Sequence, residues 1–137
     1  MRIDREHQLY EQIARYLQLQ YPDVIYRFDL AADMKLTVGQ AAKHKRLHPR
    51  RGYPDLFIAE PKIRAGFEDT WRYESLGLFI ELKKEGTRIY KKDGSPASEH
   101  IAEQLKVLEA LGKKGYYCYM VAGFDEAKEV IDDYLKH

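Results

Sequence analysis

The fold is decided by two short stretches of the sequence, Gly52-Tyr53-Pro54-Asp55-Leu56 and Gly77-Leu78-Phe79-Ile80-Glu81-Leu82-Lys83. The second stretch predicts the clearest strand of the chain, because it combines a long apolar run with alternating character. Side chains alternate along a strand, so Glu81 and Lys83 project from one face and the intervening Leu82 from the other. The first stretch has turn chemistry and leads into a short predicted strand over 55–59.

The polar residues of these stretches suggest a metal site. If the two strands are neighbours, Asp55 and Glu81 meet at a shared end of the sheet. Two close carboxylates repel each other unless a proton or a cation lies between them, and hard oxygen ligands suit Mg²⁺ or Mn²⁺ better than zinc. Lys83 beside such an ion can orient a water or stabilise a charged transition state. The alternative is structural: Asp55 caps a turn, and Glu81 with Lys83 forms a surface pair.

Helices and further strands are predicted around this centre. Residues 5–20 predict an amphipathic helix with Asp4 as its N-cap, and Glu6 falls near the middle of its apolar stripe, where an unpaired charge would be costly. Gln104 likewise lies on the apolar face of a second helix. The other predicted elements are a strand over 24–28, a short helix over 40–47, an irregular segment over 60–76, a basic loop over 84–96, a helix over 97–111 with start signals at Ser95 and Pro96, a strand over 116–122 and a helix over 124–136. The order, helix, three strands, helix, strand, helix, predicts one α/β domain over 1–137.

The composition excludes several classes of protein. A length of 137 residues with 45% hydrophobic content suits one core, and the single Cys118 excludes a disulfide framework or a cysteine-rich zinc module. No apolar run is long enough to span a membrane, and the first residues lack a hydrophobic signal core. We therefore expect a cytoplasmic domain without a membrane partner.

The net charge of +1 conceals an uneven distribution, which can attract a polyanion locally. Residues 34–54 contain no acid, whereas residues 125–133 carry five acids and one lysine. The cations that flank Asp55 and Glu81 are the candidate DNA contacts, namely Lys43, Lys45, Arg46, Arg50, Arg51, Lys84 and Arg88. The His44-x-x-x-His48 spacing fits a helical zinc site, but no third ligand is evident, so phosphate contact is favoured over zinc and over a solvated face.

Taken together, the motifs resemble the PD-(D/E)XK nuclease superfamily and, within it, the VRR-Nuc family in the small stand-alone form found in phages and bacteria. The shared pattern is an early helical glutamate, a Gly-x-Pro-Asp-Leu turn, an apolar strand that ends in Glu-x-Lys, a nearby glycine and a helical glutamine. It is matched in order by Glu6, Gly52 to Leu56, Glu81 to Lys83, Gly86 and Gln104.

The resemblance implies a small mixed sheet flanked by helices and a Mg²⁺- or Mn²⁺-dependent endonuclease that hydrolyses DNA phosphodiesters. It implies that Asp55, Glu81, the Leu82 carbonyl and Glu6 hold the metal, that Lys83 is the catalytic lysine, and that Gln104 lies near the site. It further implies a homodimer that cuts branched DNA such as Holliday junctions, with little sequence specificity. Departures are the length of 60–76 and Asp29, which stands where the family often has asparagine.

Other interpretations stay open at this point. A non-catalytic nucleic-acid-binding or assembly module would keep the fold without cleavage, and a restriction-type enzyme would keep the chemistry but read a short sequence. Phe67, Trp71 and Tyr73, with Arg64 and Arg72, have the chemistry to stack on unpaired bases, but packing or a dimer contact is the favoured interpretation.

Overall fold

A four-stranded sheet lies at the centre of the computed structural model, which describes residues 5–29, 35–64 and 72–136. Within these ranges the helices are α1 (Arg5–Gln20), α2 (Val38–Leu47), α3 (Glu99–Lys113) and α4 (Phe124–Leu135). The strands are β1 (Tyr26–Phe28), β2 (Leu56–Ile58), β3 (Lys62–Ile63), β4 (Tyr73–Ser75), β5 (Leu78–Lys83) and β6 (Tyr117–Ala122). The predicted α/β class, with a small mixed sheet and helices around it, is confirmed.

The order of strands in the sheet is β1-β2-β5-β6. β2 is antiparallel to both β1 and β5, whereas β5 and β6 run parallel. In the β2–β5 pair Leu56 lies opposite Ile80, so the residues just before Leu56 lie beside the residues just after Ile80. This register brings the Gly52–Asp55 turn to the same end of the sheet as Glu81 and Lys83.

Helices cover both faces of the sheet. Leu56, Ile80 and Leu82 are buried in one cluster with the apolar residues of α1 and α4. Because side chains alternate along β5, Glu81 and Lys83 lie on the opposite face. There they contact Gln104 of α3. The central strand is consequently buried on both faces, and its two charged residues lie beneath a helix.

A carboxylate ties α1 to α4 on the face away from the predicted site. Asp132 accepts hydrogen bonds from the hydroxyls of Tyr16 (2.5 Å) and Tyr21 (2.6 Å) and from Lys128 (3.0 Å). Burial alone would raise the pKa of Asp132, but these donors outweigh it and lower the pKa to about 2. The charged form of Asp132 therefore stabilises the packing of the two terminal helices.

Two predicted elements are wrong in detail. The segment over 60–76 is not irregular throughout, because β3 and β4 form a separate antiparallel pair within it. The second long helix begins at Glu99 and not at 97, since Ser98 is its N-cap and accepts from the backbone N–H of Ile101. Ser95 instead donates to Asp93 in the preceding loop, where Tyr90 and Pro96 form an isolated bridge.

The remaining predicted bounds shift by a few residues. The first strand is shorter than 24–28, because Val24 closes a turn onto Tyr21 and β1 begins at Tyr26. The helix α3 continues through Gly112 to Lys113, and the chain turns at Gly115, which has φ +108°. Among the described residues, no helix has the length and apolar character to cross a membrane.

Candidate active site

A tight turn places Asp55 beside the end of β5. Gly52 has φ +87°, and a Cβ there would lie 3.3 Å from both Gln104 Cα and Val107 Cγ2, so the turn packs directly on α3. Asp55 is buried, at 5% exposure, and its Oδ2 accepts a hydrogen bond of 2.7 Å from the backbone N–H of Leu82. The carboxylate is thereby held beside Glu81, as the sheet register requires.

The Leu82 carbonyl faces the same side as Asp55. The N–H and C=O of one residue in a strand point toward the same neighbouring strand. Because the Leu82 N–H points to Asp55, its carbonyl oxygen also points toward that edge. The Lys83 carbonyl points the other way and accepts from Gly123 after β6. The backbone thus offers one oxygen to the space between the strand ends.

Glu81, Gln104 and Lys83 form a chain of polar contacts. Gln104 Nε2 donates to Glu81 Oε1 (2.8 Å), and Lys83 Nζ donates to Gln104 Oε1 (2.6 Å). Lys83 Nζ also lies 3.6 Å from Glu81 Oε1. Gln104 is buried, at 7% exposure, so the amide fixes both the glutamate and the lysine. The arrangement excludes the interpretation of Glu81 and Lys83 as an exposed surface pair.

The electrostatics of the site favour a bound cation. Burial, and then the neighbouring Asp55 carboxylate, raise the pKa of Glu81 from 4.5 to about 9, and Lys83 opposes this only in part. Glu81 Oε2 is buried and has no hydrogen-bond partner among the described residues. A buried acceptor without a partner is costly, and a divalent ion between the carboxylates would relieve that cost and the repulsion together.

The donor set suits a hard metal ion. Asp55 and Glu81 supply carboxylate oxygens and Leu82 a carbonyl oxygen, which are the ligands that Mg²⁺ and Mn²⁺ prefer. Among the described residues, no group of three His, Cys, Asp or Glu side chains is close enough to hold a metal. Glu6, the further ligand implied by the resemblance, lies in the first turn of α1, but its side chain lies outside the described residues.

These residues lie at the base of an open cleft of about 440 Å³. Its lining contains Asp55, Glu81, Leu82, Lys83 and Gln104 together with Tyr10, Asp29, His44, Lys45, His48, Pro49, Arg50, Arg51, Gly52, Tyr53 and His100. Acids lie at its floor and Lys45, Arg50 and Arg51 on its wall. The cleft has the charge arrangement needed to hold a phosphate against a buried cation site.

Other predicted DNA contacts do not line this cleft. Lys43 and Arg46 are exposed on α2, and Lys84 and Arg88 are exposed in the segment after β5. Arg88 Nε donates to the backbone carbonyl of Tyr90 (2.9 Å), so part of that guanidinium serves the loop itself. Any contact of these four residues with DNA would extend the surface around the cleft.

Sequence reasoning missed His100, which lines the cleft one helical turn before Gln104. The signal was available, because positions i and i+4 lie on one face of a helix. Asp29 donates its backbone N–H to the Asp55 carbonyl (2.7 Å) and also lines the cleft. Tyr73 is exposed on β4, while Phe67 and Trp71 lie outside the described residues.

Comparisons with known proteins agree with this architecture. A scan against protein-family models and a search of curated proteins find no match. Among solved structures, the chain is similar to one described as a VRR_NUC domain protein, with 22% sequence identity and a TM-score of 0.64, over 99% of this chain and 92% of that one. This chain has a VRR-Nuc-like fold. At this identity the likeness establishes the fold alone, and it assigns no role to Asp55, Glu81 or Lys83.

Proposed function

We propose that the protein is a metal-dependent DNA endonuclease of the PD-(D/E)XK type. The observation that carries the proposal is the pair of buried carboxylates, Asp55 and Glu81, beside Lys83 at the floor of a cleft with basic walls. A stability role alone does not account for two adjacent buried acids, one with an unpartnered oxygen. A role in hydrolysis accounts for both acids, because each would be a ligand of the metal ion.

Asp55, Glu81 and the Leu82 carbonyl are the proposed ligands of Mg²⁺ or Mn²⁺, and Glu6 is the proposed additional ligand. When bound, the ion supplies positive charge that lowers the pKa of water and balances the charge that develops on the phosphate. The protein's own residues determine where the water and the phosphate lie. Catalysis by such a site depends mainly on positioning and electrostatics.

Lys83 is the proposed catalytic lysine. Gln104 holds its ammonium group beside Glu81, from where it can donate a hydrogen bond to the attacking water or to a phosphate oxygen. In the hydrolysis, the water oxygen forms a bond to phosphorus and loses a proton, while the bond to the departing sugar oxygen breaks and that oxygen takes a proton. Gln104 acts on this reaction by positioning Lys83 and Glu81.

The basic wall is the proposed contact with the DNA backbone. Lys45, Arg50 and Arg51 offer charge-assisted hydrogen bonds to phosphates, which position a duplex without reading its sequence. Binding that depends on such contacts weakens steeply with salt, by a slope of about 0.9 for each phosphate neutralised. We extend the proposal to a homodimer acting in the cytoplasm on branched DNA, where two copies would face two equivalent strands.

The test is cleavage of linear duplex and four-way-junction DNA with Mg²⁺ or Mn²⁺. We expect Asp55→Ala and Lys83→Ala to lower the rate by at least about 100-fold, because each removes an interaction made with the reacting groups. Lys106→Ala is a matched control, since Lys106 is exposed on α3 and does not line the cleft. Light scattering on the same samples measures the oligomeric state.

Three outcomes would contradict parts of the proposal. Wild-type cutting by Asp55→Ala and Lys83→Ala would reject the site. DNA binding without any metal-dependent cleavage would favour the non-catalytic binding module. Discrete bands from plasmid DNA would indicate a restriction-type enzyme that reads a short sequence.

A further inference from the structure

A second pocket opens beside the catalytic cleft. It encloses about 360 Å³ and shares Asp29, His44, His48 and Tyr53 with the lining of the cleft. Its remaining lining comes from the sheet, with Pro54 directly before the proposed metal ligand Asp55. The two cavities are therefore adjacent.

The pocket is walled mainly by rings. The rings that face it come from β2, from α2 with its C-cap and from the turn before β2, and they are Phe57, Tyr53, His44 and His48. Pro54 also lines the pocket but is fully buried. Phe57 forms the fixed part, because it stacks on Phe79 (4.4 Å between centroids). The Phe28 ring stacks on Tyr10 (5.0 Å) in the core, on the other face of the sheet. Aromatic surfaces of this kind stack with nucleobases irrespective of sequence.

The accessible part of the wall belongs to Tyr53, His44 and His48. Tyr53 is 53% exposed although its ring edge meets Phe79, with 5.7 Å between centroids. The two histidine rings lie 4.6 Å apart on the last turn of α2 and its C-cap. Tyr53 and His48 are exposed and His44 is half-buried, so these rings are accessible to a ligand in the pocket.

Polar groups occur at two points of the same pocket. Arg27 and Asp29 lie on either side of Phe28 and supply a guanidinium and a carboxylate. An apolar pocket with a few polar groups is the usual form of a site for a small planar ligand. A nucleobase has this chemistry, with two apolar faces and a hydrogen-bonding edge.

The adjoining charges indicate where the rest of the nucleotide would lie. Lys45, Arg50 and Arg51 line only the neighbouring cleft, where the phosphates are proposed to bind. A nucleotide with its phosphate in the cleft would have its base within reach of the ring-lined pocket. A base paired within a continuous duplex is stacked on its neighbours and could not enter.

We propose that this pocket binds one unpaired nucleobase next to the phosphate that is cut. The inference rests on the proposed endonuclease function and names its substrate class: DNA with an unpaired nucleotide at the cleavage point. The protein prefers such DNA over continuous duplex because stacking in the pocket adds to phosphate contacts that both substrates share. Tyr53 and His48 are the residues through which this preference acts.

The test compares three DNAs of equal length by fluorescence anisotropy, in buffer with EDTA so that no strand is cut. They are a paired duplex, a duplex with a one-nucleotide bulge, and a duplex with an abasic residue at the same bulge. The abasic DNA keeps the backbone and its distortion but lacks the base. We expect the full chain to bind the base-containing bulge about tenfold more tightly than the abasic bulge.

Tyr53→Leu and His48→Ala should each reduce that ratio toward one. Leucine keeps an apolar side chain against Phe79, so Tyr53→Leu removes the aromatic surface without opening a cavity there. Tyr119→Ala is the matched control, because Tyr119 is a 42% exposed tyrosine on β6 outside the pocket. Thermal unfolding by circular dichroism verifies that the variants are folded.

The outcomes separate this inference from the function on which it rests. The pocket is overturned if base-containing and abasic bulges bind equally, or if their difference in affinity persists in both variants. In that case, cleavage of all three DNAs in Mn²⁺ would still support the endonuclease. Absence of cleavage together with preserved base preference rejects the endonuclease and retains the pocket. Failure to bind any of the DNAs, together with absence of cleavage in Mn²⁺, overturns both.

Discussion

At the scale of single residues, the site depends on carboxylates that are buried, although charged groups usually lie in solvent. Glu81 is 3% exposed, yet its nearest charged neighbours include another carboxylate as well as Lys83. The pKa of about 9 means that the metal-free protein keeps a proton on Glu81 at neutral pH. Binding of a divalent ion must displace that proton, so metal affinity should rise with pH.

The same pKa predicts how stability responds to pH. Between about 4.5 and 9 the folded protein holds a proton on Glu81 that the unfolded chain releases, so the free energy of unfolding falls as pH rises through this window. Glu81→Gln has no proton to lose. We expect it to raise the unfolding free energy of the metal-free protein at pH 8 by up to about 5 kcal/mol, measured by urea denaturation.

The comparison at two pH values gives the control for this prediction. At pH 4 the glutamate is protonated in both states, so wild type and Glu81→Gln should differ little. Added Mn²⁺ should stabilise the wild type and not the variant. A difference between the two proteins that does not grow with pH would contradict the assigned role of the buried carboxylates.

At the scale of elements, the site is assembled by a turn pressed against a helix. Gly52 combines a positive φ with contact to the backbone of α3, so both the turn and the helix fix the position of Asp55. The register of β2 against β5 then brings Asp55 beside Glu81, because Leu56 lies opposite Ile80 and both acids fall at the same end of the sheet. Geometry here comes from the packing of elements and not from any one motif.

Gly52→Ala tests this assembly. The alanine would be strained at φ +87°, and its Cβ would meet Gln104 Cα and Val107 Cγ2 at 3.3 Å. We expect a loss of about 1–3 kcal/mol in unfolding free energy and a fall in cleavage, since the turn moves Asp55 away from Glu81. Gly39→Ala, in α2 with nothing within 4 Å, should leave stability unchanged or raise it by up to about 1 kcal/mol. Equal effects of the two substitutions would argue against the close approach.

At the scale of the whole molecule, basic and acidic residues are concentrated on different elements. The basic wall of the cleft comes from α2 and the segment that follows it, while α4 carries acidic residues and packs with α1 on the other face of the sheet. One of those acids, Asp132, has a structural role, because it accepts from Tyr16 and Tyr21 of the first helical region. The total charge is near zero because the basic residues of the proposed binding surface are balanced by acidic residues, one of which serves in helix packing.

Asp132 predicts the acid sensitivity of the fold. Its pKa is lowered from 3.8 to about 2, so its stabilising effect is complete above about pH 4 and is lost as pH falls toward 2. We expect Asp132→Asn to lower the unfolding free energy at pH 7 by about 2 kcal/mol and to converge with wild type near pH 2. The exposed neighbour Asp133 provides the control variant, Asp133→Asn, for which we expect little change.

Local pattern accounts for much of the agreement between sequence and structure. The alternation of β5 places Glu81 and Lys83 on one face, and the 3.6-residue period places Gln104 on the buried face of α3, whatever surrounds them. The start of a helix was harder to predict where two residues could each serve as its N-cap. Ser95 and Ser98 both resemble helix caps, and only the pairing of the preceding loop assigns Ser95 to Asp93 and leaves Ser98 to α3.

By itself, the sequence determined the α/β class, the strand over Glu81 and Lys83, and the candidate carboxylates, because these follow from residue type and periodicity. Tertiary structure alone decided the β3–β4 pair, the burial of Glu81, its contact with Gln104 and the ring-lined pocket between α2, β1 and β2. The physical reason is that register, burial and cavities arise from contacts between residues distant along the chain. No local pattern specifies which distant residues come together.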